Sequence, residues 1–293
     1  MNNYKKYISL LFVVSAAFQL NAQIAKGEKE FLIRLFQDTS GENWTTSWDL
    51  DASPTTWYGV KVEDGHVVEL NLYRNNLEGE ISEGIASLKK LRILNLAFNN
   101  LKGNLPKDLV EMGLLQSLHL EMNKISGPMP QEYSKLVNLE ELSIFNNLLE
   151  GTIPTGIGAL TKLKVLNLSS NYLQGSLPKS LENLKSLEQL ELFGNQLTGT
   201  IEVELGELIN LKELILSYNQ FQGDLPSSTG RLSNLEFVQL QGNNFRSLNS
   251  LFQLNSKSLA TFDSDDEFLN MKFSNGMEAK SRLAETKFED SKN

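Results

Sequence analysis

The 293-residue chain has no cysteine and only two histidines, His66 and His119. The first absence excludes disulfide staples, thiol nucleophiles and thiolate-held metals. The second leaves little for histidine-based metal sites or general-base chemistry. Positive charge is the scarcer sign: 27 Lys and Arg stand against 36 Asp and Glu, for a net charge of −9. That balance disfavours nonspecific binding to nucleic acid, which rests on cationic contacts to phosphates. Beyond the N-terminal segment 1–22 no run is apolar enough to span a membrane. A glycine-rich phosphate loop, a metal-ligand spacing and a serine nucleophile elbow are also missing. The chain therefore reads as a non-enzyme with no cofactor and no metal.

What is there is a repeat. Eight segments begin at Val67, Leu91, Leu115, Leu139, Leu163, Leu187, Leu211 and Leu235, in a constant step with nothing inserted or lost. The ninth position is always asparagine: Asn75, Asn99, Asn123, Asn147, Asn171, Asn195, Asn219 and Asn243. A side-chain amide offers two donors and an acceptor to backbone groups leaving a strand. These residues are read as a structural ladder without a catalytic role. Glycine fills position thirteen in seven copies, from Gly79 to Gly223, where a tight bend or a close backbone approach is expected. Five of the seven prolines fill position sixteen, where they should start a short turn and block extra strand pairing. Positions four and six are apolar and alternate with three, five and seven, which is the period of a half-buried strand. One copy cannot bury its apolar side chains alone, but stacked copies can.

The pattern LxxLxLxxNxLxGxIPxxLxxLxx resembles the leucine-rich repeat family, and its GxIP segment resembles the plant-type subclass. The resemblance implies an α/β solenoid: a curved array of eight 24-residue repeats with a parallel β-sheet on its concave face and a cap at each end. The stretch DTSGENWTTSWDL…TTWYGVKVEDGHVVELNL resembles the N-terminal cap of plant-type and bacterial extracellular members. In plant caps, cysteines flank the WxGV core. Here Thr55 and Val62 stand near those places, which favours a bacterial exported protein over a plant receptor ectodomain.

Residues 1–22 combine Lys5 and Lys6, an apolar run from Ile8 to Phe18 and a small Ala22, as in a cleaved secretory signal peptide; an uncleaved anchor is the other reading. Its removal leaves no membrane span and takes the net charge from −9 to −11. The expected location is outside the cytoplasm, in the periplasm, at the outer surface or in the medium. Residues 23–66 are the N-terminal cap, with Phe31, Leu32, Leu35 and Phe36 at helical spacing and all three tryptophans behind them. Those tryptophans are core or, alternatively, a sugar-stacking platform. Residues 67–246 are the repeat domain. In residues 247–293 the pattern decays, Ser247 and Asn249 replacing the glycine and the next apolar residue, and a C-terminal cap and polar tail are expected. Asp263, Asp265, Asp266 and Glu267 lack the glycine and distal glutamate of an EF-hand loop and read as a solvated acidic turn. Two glycosylation sequons, at Asn43 and Asn167, read as accidental.

Function is then a matter of the side chains at positions three, five and seven, which project from the concave face. Three positions in eight copies contain no lysine or arginine and five glutamates: Glu69, Glu121, Glu141, Glu191 and Glu213. Tyr73, Phe145 and Phe193 add aromatics, as does Tyr218 at position eight. His119 and Glu121 make a dyad geometrically possible, with Asn95 and an exposed Ser143 as neighbours. Exposed aromatics on a rigid platform are what recognition surfaces use, although some would pack across strands. The expected function is non-catalytic binding of another macromolecule, a protein with a basic patch. A cell-surface glycan binder and a structural or adhesive component are the alternatives.

Overall fold

The computed structural model describes residues 24–254 and 259–274. The signal segment 1–22 and the tail from residue 275 lie outside the described residues. The chain divides into two compact units, residues 1–148 and 149–293.

The first unit opens with helix α1 (Lys26–Asp38), whose Phe31, Leu32 and Leu35 are buried on one face. Its strands are β1 (Val60–Glu63), β2 (His66–Asn71), β3 (Glu78–Glu80), β4 (Ile93–Asn95), β5 (Asn100–Asn104), β6 (Ser117–His119), β7 (Lys124–Pro128) and β8 (Glu141–Ser143). The order β1-β2-β4-β6-β8 makes the main sheet, parallel apart from the antiparallel β1–β2 hairpin. Strands β3-β5-β7 make a second parallel sheet from positions ten to fourteen of each turn. The sequence reading contained only the first sheet. The pairing precedes the proline, which starts a short turn as expected: Pro106 stands just after β5 and leads into a 3-10 turn, Lys107–Glu111.

The asparagines occupy the link between the two sheets. Oδ1 of Asn99 accepts from the backbone N–H of Asn75 and Leu77, both at 3.0 Å. Its Nδ2 donates to the carbonyls of Leu72 and Leu96, both at 2.9 Å. Just before each asparagine, position eight takes a left-handed backbone, including Phe98 at φ 57° and Met122 at φ 56°. Such a conformation is costly for a bulky side chain and persists only where the surroundings fix it.

The tryptophans are core. Trp44, Trp48 and Trp57 are 5%, 5% and 3% exposed, which removes the sugar-platform alternative. Trp48 stacks on Trp57 at 4.7 Å and meets Trp44 edge-on at 4.8 Å. Each indole N–H finds a carbonyl, those of Thr39, Tyr58 and Asp49. His66 begins β2, and its Nδ1 lies 2.8 Å from the buried Glu28.

The second unit contains β9 (Leu148–Thr152), β10 (Val165–Asn167), β11 (Tyr172–Gly175), β12 (Gln189–Glu191), β13 (Gln196–Gly199), β14 (Glu213–Ile215), β15 (Gln220–Asp224), β16 (Phe237–Gln239), β17 (Asn244–Ser247) and β18 (Thr261–Asp263), then helix α2 (Glu267–Ser274). The main sheet runs β10-β12-β14-β16-β18 and the second runs β9-β11-β13-β15-β17. One turn shows how the core is filled: Leu163, Leu166, Leu168, Leu173, Leu177, Leu181 and Leu184 are all at most 4% exposed. Each such burial stabilises the fold by roughly 1.5–3 kcal/mol.

The strand ladder continues past Arg246. β18 pairs in register with β16, Val238 opposite Phe262, and Leu259 stands one full repeat after Leu235. The acidic segment behind it keeps Asp265, Asp266 and Glu267 exposed, and hydrogen bonds fix it in place. Asp265 accepts from the N–H of Gly242 and Asn243, standing in for the missing asparagine, and Asp266 caps α2 by accepting from Leu269. Among the described residues no group of acidic or histidine side chains is arranged to hold a metal, and no helix is long and apolar enough to cross a membrane.

Candidate binding surface

Short strands whose even positions are core must turn their odd positions outward. In the first unit this places Glu69, Tyr73, His119, Glu121, Glu141 and Phe145 on the open face of the main sheet. Tyr73 is 41% exposed, and the others are partly buried. Tyr73 packs against Phe98 with ring centres 5.2 Å apart. His119, Glu121 and Glu141 come together: Nε2 of His119 is 3.1 Å from Glu141, and Nδ1 is 3.6 Å from Glu121. Glu141 lies diagonally across the adjacent strand, because His119 itself is in register with Ser143. That serine is only 7% exposed, not the exposed strand serine expected. Glu69 makes no hydrogen bond or ion pair with the cluster.

Burial is the largest influence on His119 and opposes its charge, but Glu121 and then Glu141 outweigh it and raise the pKa from 6.5 to about 9. The imidazole is thus a cation at neutral pH. This puts a positive charge among the carboxylates of a face whose positions three, five and seven hold no lysine or arginine. Oε2 of Glu121 is buried and has no hydrogen-bond donor among the described residues.

In the second unit the open face holds Glu191, Phe193, Glu213 and Tyr218. Each carboxylate accepts a lateral hydrogen bond, Glu191 from Asn167 at 2.9 Å and Glu213 from Gln189 at 3.0 Å. Phe193 and Tyr218 meet edge-to-face, 5.4 Å between centres, and Tyr218 remains 52% exposed. These pairs are aromatic contacts across repeats, so part of the aromatic surface stabilises the array itself. Sequence reasoning missed Asp263, which joins this face from β18 opposite Gln239. Burial, and then the charge of Asp265, raise its carboxyl above the ordinary value. The unbroken repeat step from Leu235 to Leu259 was the signal that could have found it. Two basic residues beside the face are paired, Arg92 with Glu63 and Lys212 with Glu188, each at 2.6 Å.

A family model described as a leucine-rich repeat region matches residues 66–198 and 129–275. The chain belongs to the leucine-rich repeat family. Its α/β solenoid is shared with solved plant receptor structures. One is a complex of PEPR1 with AtPEP1: identity is 29%, the TM-score 0.73, and the match covers 82% of this chain and 35% of that one. A second is the ectodomain of the Arabidopsis thaliana receptor kinase GASSHO1/SCHENGEN3 with CASPARIAN STRIP INTEGRITY FACTOR 2, at 28% identity, TM-score 0.68, and 80% and 32% coverage. A third is the Arabidopsis receptor kinase HAESA with the peptide hormone IDA and the co-receptor SERK1, at 29% identity, TM-score 0.65, and 82% and 46% coverage. This repeat protein spans between a third and a half of the length of those receptor chains. The matched structures are of plant origin, and no bacterial relative stands among these three. No curated protein matches the chain.

Proposed function

We propose that this leucine-rich repeat protein is an exported, non-catalytic binding module that recognises a protein or peptide through the open face of its main-sheet strands. The carrying observation is that this face displays aromatics and carboxylates that the solenoid core does not need. Tyr73 and Tyr218 hold 41% and 52% of their surface open, and rigid aromatics of this kind anchor interfaces. The three plant complexes, one of which holds the peptide hormone IDA, support a ligand-binding reading. Carboxylates at Glu69, Glu121, Glu141, Glu191 and Glu213 favour a partner with a basic patch. The charge on His119 tempers that preference in the first unit.

The test uses the mature protein as bait in crosslinked extracts, followed by surface plasmon resonance with the captured partner. Phe145→Ala, Phe193→Ala and Tyr218→Ala should speed dissociation. Glu141→Lys should slow association and flatten its salt dependence, because rim charges act mainly on encounter. If all four variants stay folded and bind like the unmutated protein, the open face is not the site.

A further inference from the structure

The second sheet also has an outward face, built from positions ten, twelve and fourteen of each turn, and in the second unit its chemistry is unusual. Gln174, Gln196, Gln220 and Gln222 supply amides there, and Ser176, Thr198 and Thr200 supply hydroxyls. Tyr172 stands at one side with 53% of its surface open. Among the described residues, none of these amides or hydroxyls engages another group through its side chain. Charge is confined to the margins: Glu150 on β9, and Asp224 with Arg246, which neutralise each other at 2.7 and 2.9 Å.

The fold does not require this. The same positions of the same repeat in the first unit carry Glu78, Glu80, Lys102 and Lys124, all exposed. In a chain that is 22% charged, an outward sheet face whose centre bears no charge is a property of these residues and not of the architecture. It also narrows the partner. A nucleic acid would need cations, a membrane surface would need an apolar face and basic residues, and a protein hot spot would need more than one buried aromatic or arginine. A dense array of neutral donors and acceptors beside one aromatic ring matches a neutral polyhydroxyl chain. Each glutamine amide offers two donors and an acceptor, and a tyrosine ring offers an apolar face to the C–H side of a sugar. Parallel strands about 4.8 Å apart present these groups in rows, a spacing comparable with the rise per unit of an extended β-linked hexose chain.

We infer that the outward face of β11, β13 and β15 binds an extended, uncharged, β-linked polysaccharide, with Tyr172 as the stacking ring and staggered hydrogen-bonding pairs, Gln174 in register with Gln196 and Thr198 with Gln220, continued by Gln222. This site is separate from the open face of the main sheet and does not depend on it.

The test is native electrophoresis of the full chain through gels containing hydroxyethyl cellulose, with polysaccharide-free gels as the mobility reference and alginate gels as the charged comparison. The unmutated protein should be retarded by hydroxyethyl cellulose, with little effect of added salt, and not by alginate. The triple variant Tyr172→Ala, Gln196→Ala, Gln222→Ala should bind about tenfold more weakly, with an unchanged circular dichroism spectrum. Lys102→Gln in the first unit and Phe193→Ala on the other face should be retarded like the unmutated protein. No retardation of the unmutated protein by hydroxyethyl cellulose would overturn the inference. So would equal retardation of a folded triple variant, or retardation by alginate that salt abolishes.

Discussion

His119 gives the fold a stability term with a defined pH window. Its pKa rises from 6.5 to about 9 in the folded chain. A raised pKa means that the folded state holds the proton more tightly than the unfolded one, so the stabilisation is complete below pH 6.5 and is lost as pH climbs through about 9. At about 1.4 kcal/mol per unit the term amounts to roughly 3 kcal/mol. The ring is only 26% exposed, so little solvent screening reduces it. The perturbation is His119→Gln, which retains a donor toward Glu141 but does not titrate. Urea melts of both proteins between pH 6 and pH 10 give two stability curves, and subtraction removes every group common to both. The unmutated protein's advantage over the variant should shrink by roughly 3 kcal/mol across that range, mostly between pH 7 and pH 9.5. A difference that stays flat would show that the two glutamates do not hold the imidazolium, and a difference that grows with pH would show that burial wins.

The amide ladder predicts that Asn195→Ala costs about 1–3 kcal/mol in denaturant melts, because buried carbonyls of Leu168 and Leu192 lose their donor. The sequence suggested a smaller loss at Asn243, where the array was expected to fray. With Asn243 bonded to Leu216, Leu240 and Phe221, and β18 beyond it, Asn243→Ala should cost a similar amount, and a loss below half that of Asn195→Ala would refute this. Trp48→Ala, which removes the ring between Phe36, Trp44 and Trp57, should cost about 3–5 kcal/mol, readable by thermal melts. Export predicts a mature protein beginning at or near Gln23, and N-terminal sequencing of secreted material that returned Met1 would refute cleavage.

The core was legible because it is written at one spacing. Leu163, Leu166 and Leu168 announce a strand in any single copy, and their recurrence at Leu187, Leu190 and Leu192 announces the stacking. The second sheet was not legible, because one inward leucine beside a glycine, as at Leu173 and Gly175, reads locally as a turn. The left-handed backbone at Phe98 and Tyr218 left no trace either, since bulky side chains argue against it and only the stacked neighbours enforce it. The pairing of β18 with β16 was hidden by composition: Leu259 keeps the step, but Glu267 stands where the asparagine column would continue.

The contacts that make the site follow a second spacing. Oδ1 of Asn99 accepts from Leu77, and His119 meets Glu141, each across 22 residues. That separation is one repeat less a two-residue step along the same face, the diagonal of a parallel sheet. Asn195 with Leu173, and Asn219 with Leu197, sit on it as well. A reading that compares like positions, one full repeat apart, sees columns and not diagonals. It placed Glu121 beside His119 within one strand and overlooked Glu141, the carboxylate at hydrogen-bonding distance. In a repeat array the core is therefore read along the period, while polar pairs on the open face are read both at the period and two residues short of it. Under that rule Gln189 and Glu213 mark the straight contact along the column, and His119 and Glu141 mark the diagonal.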